Sequence, residues 1–131
     1  MRILGVDHGT KRIGLAISDE TGTIAQSVGY VSAIADLLRI ATEQTAGKIV
    51  VGVPRRLDGT ASQQTERTLA FIESLRRATS LPVVPWDERL TSKQAERALL
   101  EGNVRRKDRR EKIDQLAAQL MLQSYLDAQN L

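Results

Sequence analysis

Three short segments set carboxylates where a strand or helix would meet a loop: Val6-Asp7-His8-Gly9-Thr10-Lys11-Arg12-Ile13-Gly14, Trp86-Asp87-Glu88-Arg89-Leu90-Thr91 and Lys112-Ile113-Asp114-Gln115-Leu116-Ala117-Ala118. Acids spread along a chain can converge in the fold on divalent cations. Cleavage of a phosphodiester is an in-line displacement, and two metal ions about 3.5–4 Å apart, sharing carboxylates, stabilise its attacking and leaving oxygens. Oxygen ligands favour Mg2+ or Mn2+ over softer metals. With one histidine and no cysteine, a conventional structural zinc site is excluded. In a basic chain, this is the equipment of a metal-dependent nuclease.

Each segment has a plainer reading as well. Asp7 would end a first strand and present its carboxylate at the sheet's carboxyl edge, where open α/β sheets bind ligands. Gly9 would let the chain turn and a phosphate approach, with Thr10, Lys11 and Arg12 beside it. Alternatively Asp7 and Thr10 form an ordinary Asx-type turn. Asp87 and Glu88 could reach a shared cation while Arg89 grips a phosphate, or they could simply favour the positive end of a helix capped by Thr91. Asp114 has Ala117, Ala118 and Met121 as helical neighbours, so it faces inward or into a cleft. A lone buried carboxylate is costly unless paired or metal-bound; the alternative is a first-turn acid that stabilises the helix dipole. Separate plain readings do not explain why all these acids border the same kind of edge. Asp7, Glu88 and Asp114 are therefore the candidate catalytic residues, and with Asp87 the candidate metal ligands.

The 131 residues carry a net charge of +3. Six basic residues (Arg105, Arg106, Lys107, Arg109, Arg110 and Lys112) crowd one segment with only Asp108 and Glu111 between them. Such a cluster suits a polyanionic substrate, and Arg55 and Arg56 in the loop before Asp58-Gly59 could hold phosphates too. His8 reads as a turn-surface residue and Trp86 as strand-end core packing. The amino-terminal apolar run breaks at Asp7, too soon for a signal peptide, and no stretch reaches a membrane span, so a cytoplasmic location is expected.

The elements that must position these residues follow from periodicity. Strands are expected at 2–7, 12–19 and 23–30 as an antiparallel meander, then at 48–53 and 81–86. Helices are expected at 32–46, with Ser32 as N-cap and Gly47 as stop, at 61–79 with Leu69, Ile72 and Leu75 inward, at 91–100, and at 112–128. Gln115, Gln119 and Gln123 would form a polar stripe on the last helix, and 103–111 would be irregular. The order gives one α/β domain over 1–131, a mixed sheet with helices on its faces.

Val6 to Gly14, Val51 to Thr60, Asp87 to Ser92 and Lys112 to Asp127 together resemble the YqgF/RuvX family, whose members are described as pre-16S rRNA nucleases and, earlier, as Holliday junction resolvases. The resemblance spans essentially the whole chain and implies an RNase H-like fold with a five-stranded mixed sheet. It implies a divalent-metal site on Asp7, Glu88 and Asp114 with Asp87 beside them, and hydrolysis at the 5′ end of precursor 16S rRNA. His8 stands where an apolar or aromatic residue is common, and Arg55-Arg56 vary the family's Gly-x-Pro loop. The expected partner is structured or precursor RNA, or branched DNA if the chain is a resolvase, acting as a monomer or weak homodimer. Two other readings compete. One is a non-catalytic RNA-binding or transcription-associated module. The other is a nucleotide-binding phosphotransferase, for which the chain has room for only one of the two lobes required.

Overall fold

The computed structural model describes residues 1–89 and 106–130; for 106–115 it describes the helical backbone alone. Strands β1 (Arg2–His8), β2 (Ile13–Ser18) and β3 (Ala25–Val31) form the expected meander. Helix α1 (Ile34–Glu43), β4 (Ala46–Val53), α2 (Gln63–Ala78), β5 (Val83–Asp87) and α3 (Arg106–Gln129) follow. The sheet order is β3-β2-β1-β4-β5, with β1, β4 and β5 mutually parallel.

Strand alternation divides the core in two. On one face Leu4, Val6, Leu15, Ile49 and Val51 pack with Leu37 of α1 and with Phe71, Ile72 and Leu75 of α2. On the other, Ile3, Ala16 and Val50 pack against Ala118, Met121, Leu122 and Tyr125 of α3. Both faces of the central strands are therefore buried, and that is why 49–53 reads as an unbroken apolar run. A Cβ on Gly5 would lie 2.7 Å from the Leu122 Cβ, so α3 rests directly on the backbone of β1. The Trp86 indole is half-buried, edge-on to Tyr125 with ring centroids 5.2 Å apart, and donates to Ser124 Oγ at 3.3 Å. It packs as expected.

Several local expectations are corrected. Helix α1 starts after Ala33 rather than Ser32 and has no side-chain cap; it ends at Gln44, where Thr45 turns with φ 54° and Gly47 is already part of β4. Leu69 is 37 % exposed, and the inward positions beside Ile72 and Leu75 belong to Thr65, Thr68 and Phe71. Residues 106–111, expected to be irregular, are the first turns of α3. The helix expected at 91–100 lies outside the described residues. Gln123 is tied to the sheet, accepting from Ala25 N at 2.9 Å and donating to the Thr23 carbonyl at 2.9 Å.

Candidate active site

The carboxyl ends of the three parallel strands form one edge, and the first two of the sequence motifs meet there. Asp7 lies next to last in β1, opposite Gly14 of β2. Gly52, near the end of β4, is paired with Trp86 of β5, and Glu88 N donates to the Val53 carbonyl at 3.1 Å just beyond that pairing. Alternation puts Asp7, Gly14 and Gly52 on the α3 side of the sheet. The Glu88 side chain folds back over Gly52 toward Asp7, and the two carboxyl groups are hydrogen-bonded.

Two acids so close cannot both ionise cheaply. Burial, the Asp7 charge, the hydrogen bond to Asp7 and the Asp87 charge together push Glu88 up to about 8, so at neutral pH it holds the proton it donates. The pair also fits a cation. Carboxylates that retain a proton against their ordinary tendency have a place for positive charge, and their donors are the hard oxygens that Mg2+ or Mn2+ would take.

Gly52 is the residue that sequence reasoning missed. Its Cβ would sit 2.7 Å from Glu88 Cδ and 2.8 Å from Cγ, and would overlap the carboxyl oxygen. Glycine inside a buried β-branched run, Val50-Val51-Gly52-Val53, is the signal that was available. Gly52→Ala is expected to expel Glu88 from the edge. Turnover should fall at least about 10²-fold, the scale of losing one preorganised charge-stabilising group, while the thermal midpoint holds within a few degrees. Cleavage kinetics beside a melting curve check both.

Asp87 and Glu88 direct their side chains differently. Neighbours along a strand point to opposite faces, and Asp87 is held by Arg89, accepting from Arg89 N at 2.9 Å and Nε at 2.8 Å, with NH2 also at 2.8 Å. Arg89 spans to the loop after β4, where a Cβ on Gly59 would lie 2.9 Å from its NH1. That loop is an Asx turn: the Asp58 carboxylate accepts from Thr60 N at 2.9 Å and Thr60 Oγ1 at 2.7 Å, bonds that hold it below its ordinary pKa, and Gly59 takes φ +87°. Arg55 and Arg56 stand exposed on it.

Beside Asp7, the β1–β2 turn is closed by Gly9 N donating to the Arg12 carbonyl at 3.0 Å. A Cβ on Gly9 would approach that carbonyl oxygen to 2.7 Å, so glycine serves the close approach here. Thr10, Lys11 and Arg12 are exposed on the turn. His8 is not on the turn surface. It closes β1, half-buried, with its ring stacked on Phe71 at 4.2 Å and 9°. Burial lowers its pKa, opposed by Asp7 and aided by Arg67. The turn-surface expectation failed because β1 runs on through His8 and α2 covers the end of the strand, its Gln64 Nε2 donating to the His8 carbonyl at 2.9 Å.

Among the described residues no three acids, histidines or cysteines cluster as a cation site. The Asp114 side chain lies outside them, as do Arg105 and the side chains of Arg106, Lys107, Arg109 and Arg110. Position 114 is in α3, one helical turn before Ala118, whose Cβ lies 3.6 Å from where a Cβ on Gly14 would be.

A five-stranded mixed sheet in this order, with acids at the carboxyl edge of its parallel strands, makes this an RNase H-like protein. More narrowly, the chain belongs to the RuvX family, whose model, described as Holliday junction resolvase, matches residues 1–128. It is 43 % identical over 136 aligned residues to a Thermoanaerobacter pseudethanolicus protein named "Putative pre-16S rRNA nuclease", covering 98 % of each. A Syntrophus aciditrophicus protein of the same name is 46 % identical, over 98 % of this chain and 89 % of that one. Among solved structures, Thermus thermophilus RuvC matches at 16 % identity with a TM-score of 0.48, covering 72 % of this chain and 68 % of that one.

Proposed function

We propose that this protein is a divalent-metal-dependent nuclease that hydrolyses phosphodiester bonds at the 5′ end of precursor 16S rRNA. The observation that carries the reading is the Asp7–Glu88 pair at the carboxyl edge, two carboxyl groups brought together over the bare backbone of Gly52. Asp7 and Glu88 would hold Mg2+ or Mn2+, in all two ions, with Asp114 as the third catalytic carboxylate. Support for Asp114 comes from its helix position one turn before Ala118, against Gly14 and hence opposite Asp7. Bound there, the ions would supply charge neutralisation at the phosphate and activation of the attacking water.

The chain's own residues divide the remaining work. Glu88 gives up its proton as positive charge arrives, and Gly52 leaves the space in which its carboxylate lies. Asp87 is the adjacent fourth acid, and its grip on Arg89 fixes that guanidinium between β5 and the 54–60 loop, where it can take a backbone phosphate. Lys11 and Arg12 would hold the phosphate chain on the other side, with Gly9 and Thr10 admitting it closely. Arg55, Arg56, Arg105, Arg106, Lys107, Arg109 and Arg110 would extend the basic track.

The second reading, a Holliday junction resolvase, is favoured by the family's description. The two separate in one assay of purified protein on precursor 16S rRNA and on a four-way DNA junction, with Mg2+, Mn2+ or EDTA. Metal-dependent cutting of the RNA alone is expected; cutting of the junction alone would reverse the order. Cutting of neither, with RNA binding intact, would favour a binding module. No helix among the described residues is long and apolar enough to cross a membrane, and an RNA substrate of this kind would be met in the cytoplasm.

A further inference from the structure

The edge holding Asp7 continues into a cavity of about 280 Å3 that the metal site does not account for. Its walls are Asp7, Gly14, the Thr10–Arg12 turn and Tyr30 of β3. Gly14 is the floor: a Cβ there would sit 3.7 Å from the Asp7 Cβ on one side and 3.6 Å from Tyr30 Cε1 on the other. Tyr30 is paired with Gly14 across β2 and β3, so register fixes the ring beside the acid. Over the ring lies the Arg12 guanidinium, its Cζ 4.0 Å from the ring centroid. Tyr30 lies on the edge strand and keeps 38 % of its surface exposed.

We infer that Tyr30 and Arg12 form a stacking platform for one unpaired nucleobase next to the scissile phosphate. The inference rests on the nuclease reading and sharpens its substrate class. A guanidinium held over an aromatic ring can offer its outer side to a base, and unpaired bases stack on aromatic rings and on arginine planes. The volume lies below the roughly 300–1,000 Å3 of clefts that enclose larger ligands. It suits one nucleotide, and a base locked in a duplex cannot turn its face into it. Gly14, without a side chain, leaves the short passage from platform to acid unfilled. The enzyme would therefore require an unpaired nucleotide at the cut, as in a single-stranded precursor end, and act poorly on continuous duplex.

The test uses an RNA hexamer with 2-aminopurine at alternate positions, single-stranded or in duplex, beside cleavage kinetics of the same strand. Wild type should quench the single strand on binding and leave the duplex fluorescence nearly unchanged. Tyr30→Ala should lose the quench and raise KM about tenfold or more, the range found for removing one base-stacking ring, with kcat within about twofold. Tyr30→Phe should behave as wild type, and this separates lost stacking from lost folding. Arg12→Lys, which keeps charge but loses the plane, should lose the quench as well. Unchanged quench and KM in Tyr30→Ala, with wild type cutting normally, would overturn the platform alone. Equal quench of single strand and duplex would also overturn it. A wild type that neither binds nor cuts RNA would instead remove the RNA-nuclease reading beneath it.

Discussion

Asp7→Asn and Glu88→Gln should each reduce RNA cleavage by at least about 10²–10³-fold, the scale of losing one preorganised charge-stabilising group. RNA affinity should hold or rise. Both acids lie at an edge flanked by Lys11, Arg12 and Arg89; Asp7→Asn removes a negative charge facing the phosphates, and Glu88→Gln replaces a carboxyl group that is already protonated in the metal-free protein, so neither weakens the basic contacts. Lys11→Ala and Arg12→Ala make the contrast: turnover at saturation stays near wild type and KM rises. The salt dependence of binding to a single strand should weaken by about 0.7 for each phosphate that is no longer neutralised. Measuring kcat and binding on the same variants separates the two classes. Equal loss of binding and turnover in Asp7→Asn would assign Asp7 to substrate binding.

Metal-free protein should lose stability as pH rises from 6 to 8, by about 2 kcal/mol, the slope of ~1.4 kcal/mol per unit falling off as Glu88 titrates. The folded state keeps a proton on Glu88 up to about 8, whereas the unfolded chain releases it near the ordinary 4.5. The stabilising contribution is thus complete below about 4.5 and gone once pH has passed through 8. For a domain of this size the melting temperature should drop by on the order of 8 °C across that interval. Glu88→Gln, neutral at every pH, should flatten the slope. Mg2+ should flatten it too, and its uptake at pH 7 should release protons in proportion to buffer ionisation heat. A pH-independent melting temperature in metal-free wild type would show Glu88 ionised and solvated.

The sheet was legible because each of its strands carries its own period. β2 alternates Ile13, Leu15 and Ile17 with small residues, and Ile49 to Val53 is apolar on both faces. The convergence of Asp7 and Glu88 was legible because parallel strands share a carboxyl edge. What required coordinates was set by neighbours distant in sequence. His8 is covered by Phe71 of α2, and Tyr30 reaches Asp7 only through strand register. Asp87 and Glu88 look equivalent in sequence, but alternation sends them to opposite sides and Arg89 takes one of them. The end of α1 was misplaced because Thr45 adopts the left-handed conformation that Gly47 was expected to supply.

The central claim is that Asp7 and Glu88 hold the catalytic cation. Crystals soaked in Mn2+ would test it most directly, through anomalous scattering. The account predicts a peak within about 2–2.5 Å of carboxylate oxygens of both residues, absent in Asp7→Asn crystals soaked alike. Ordered density there without a peak, from protein that cleaves RNA in Mn2+, would contradict it.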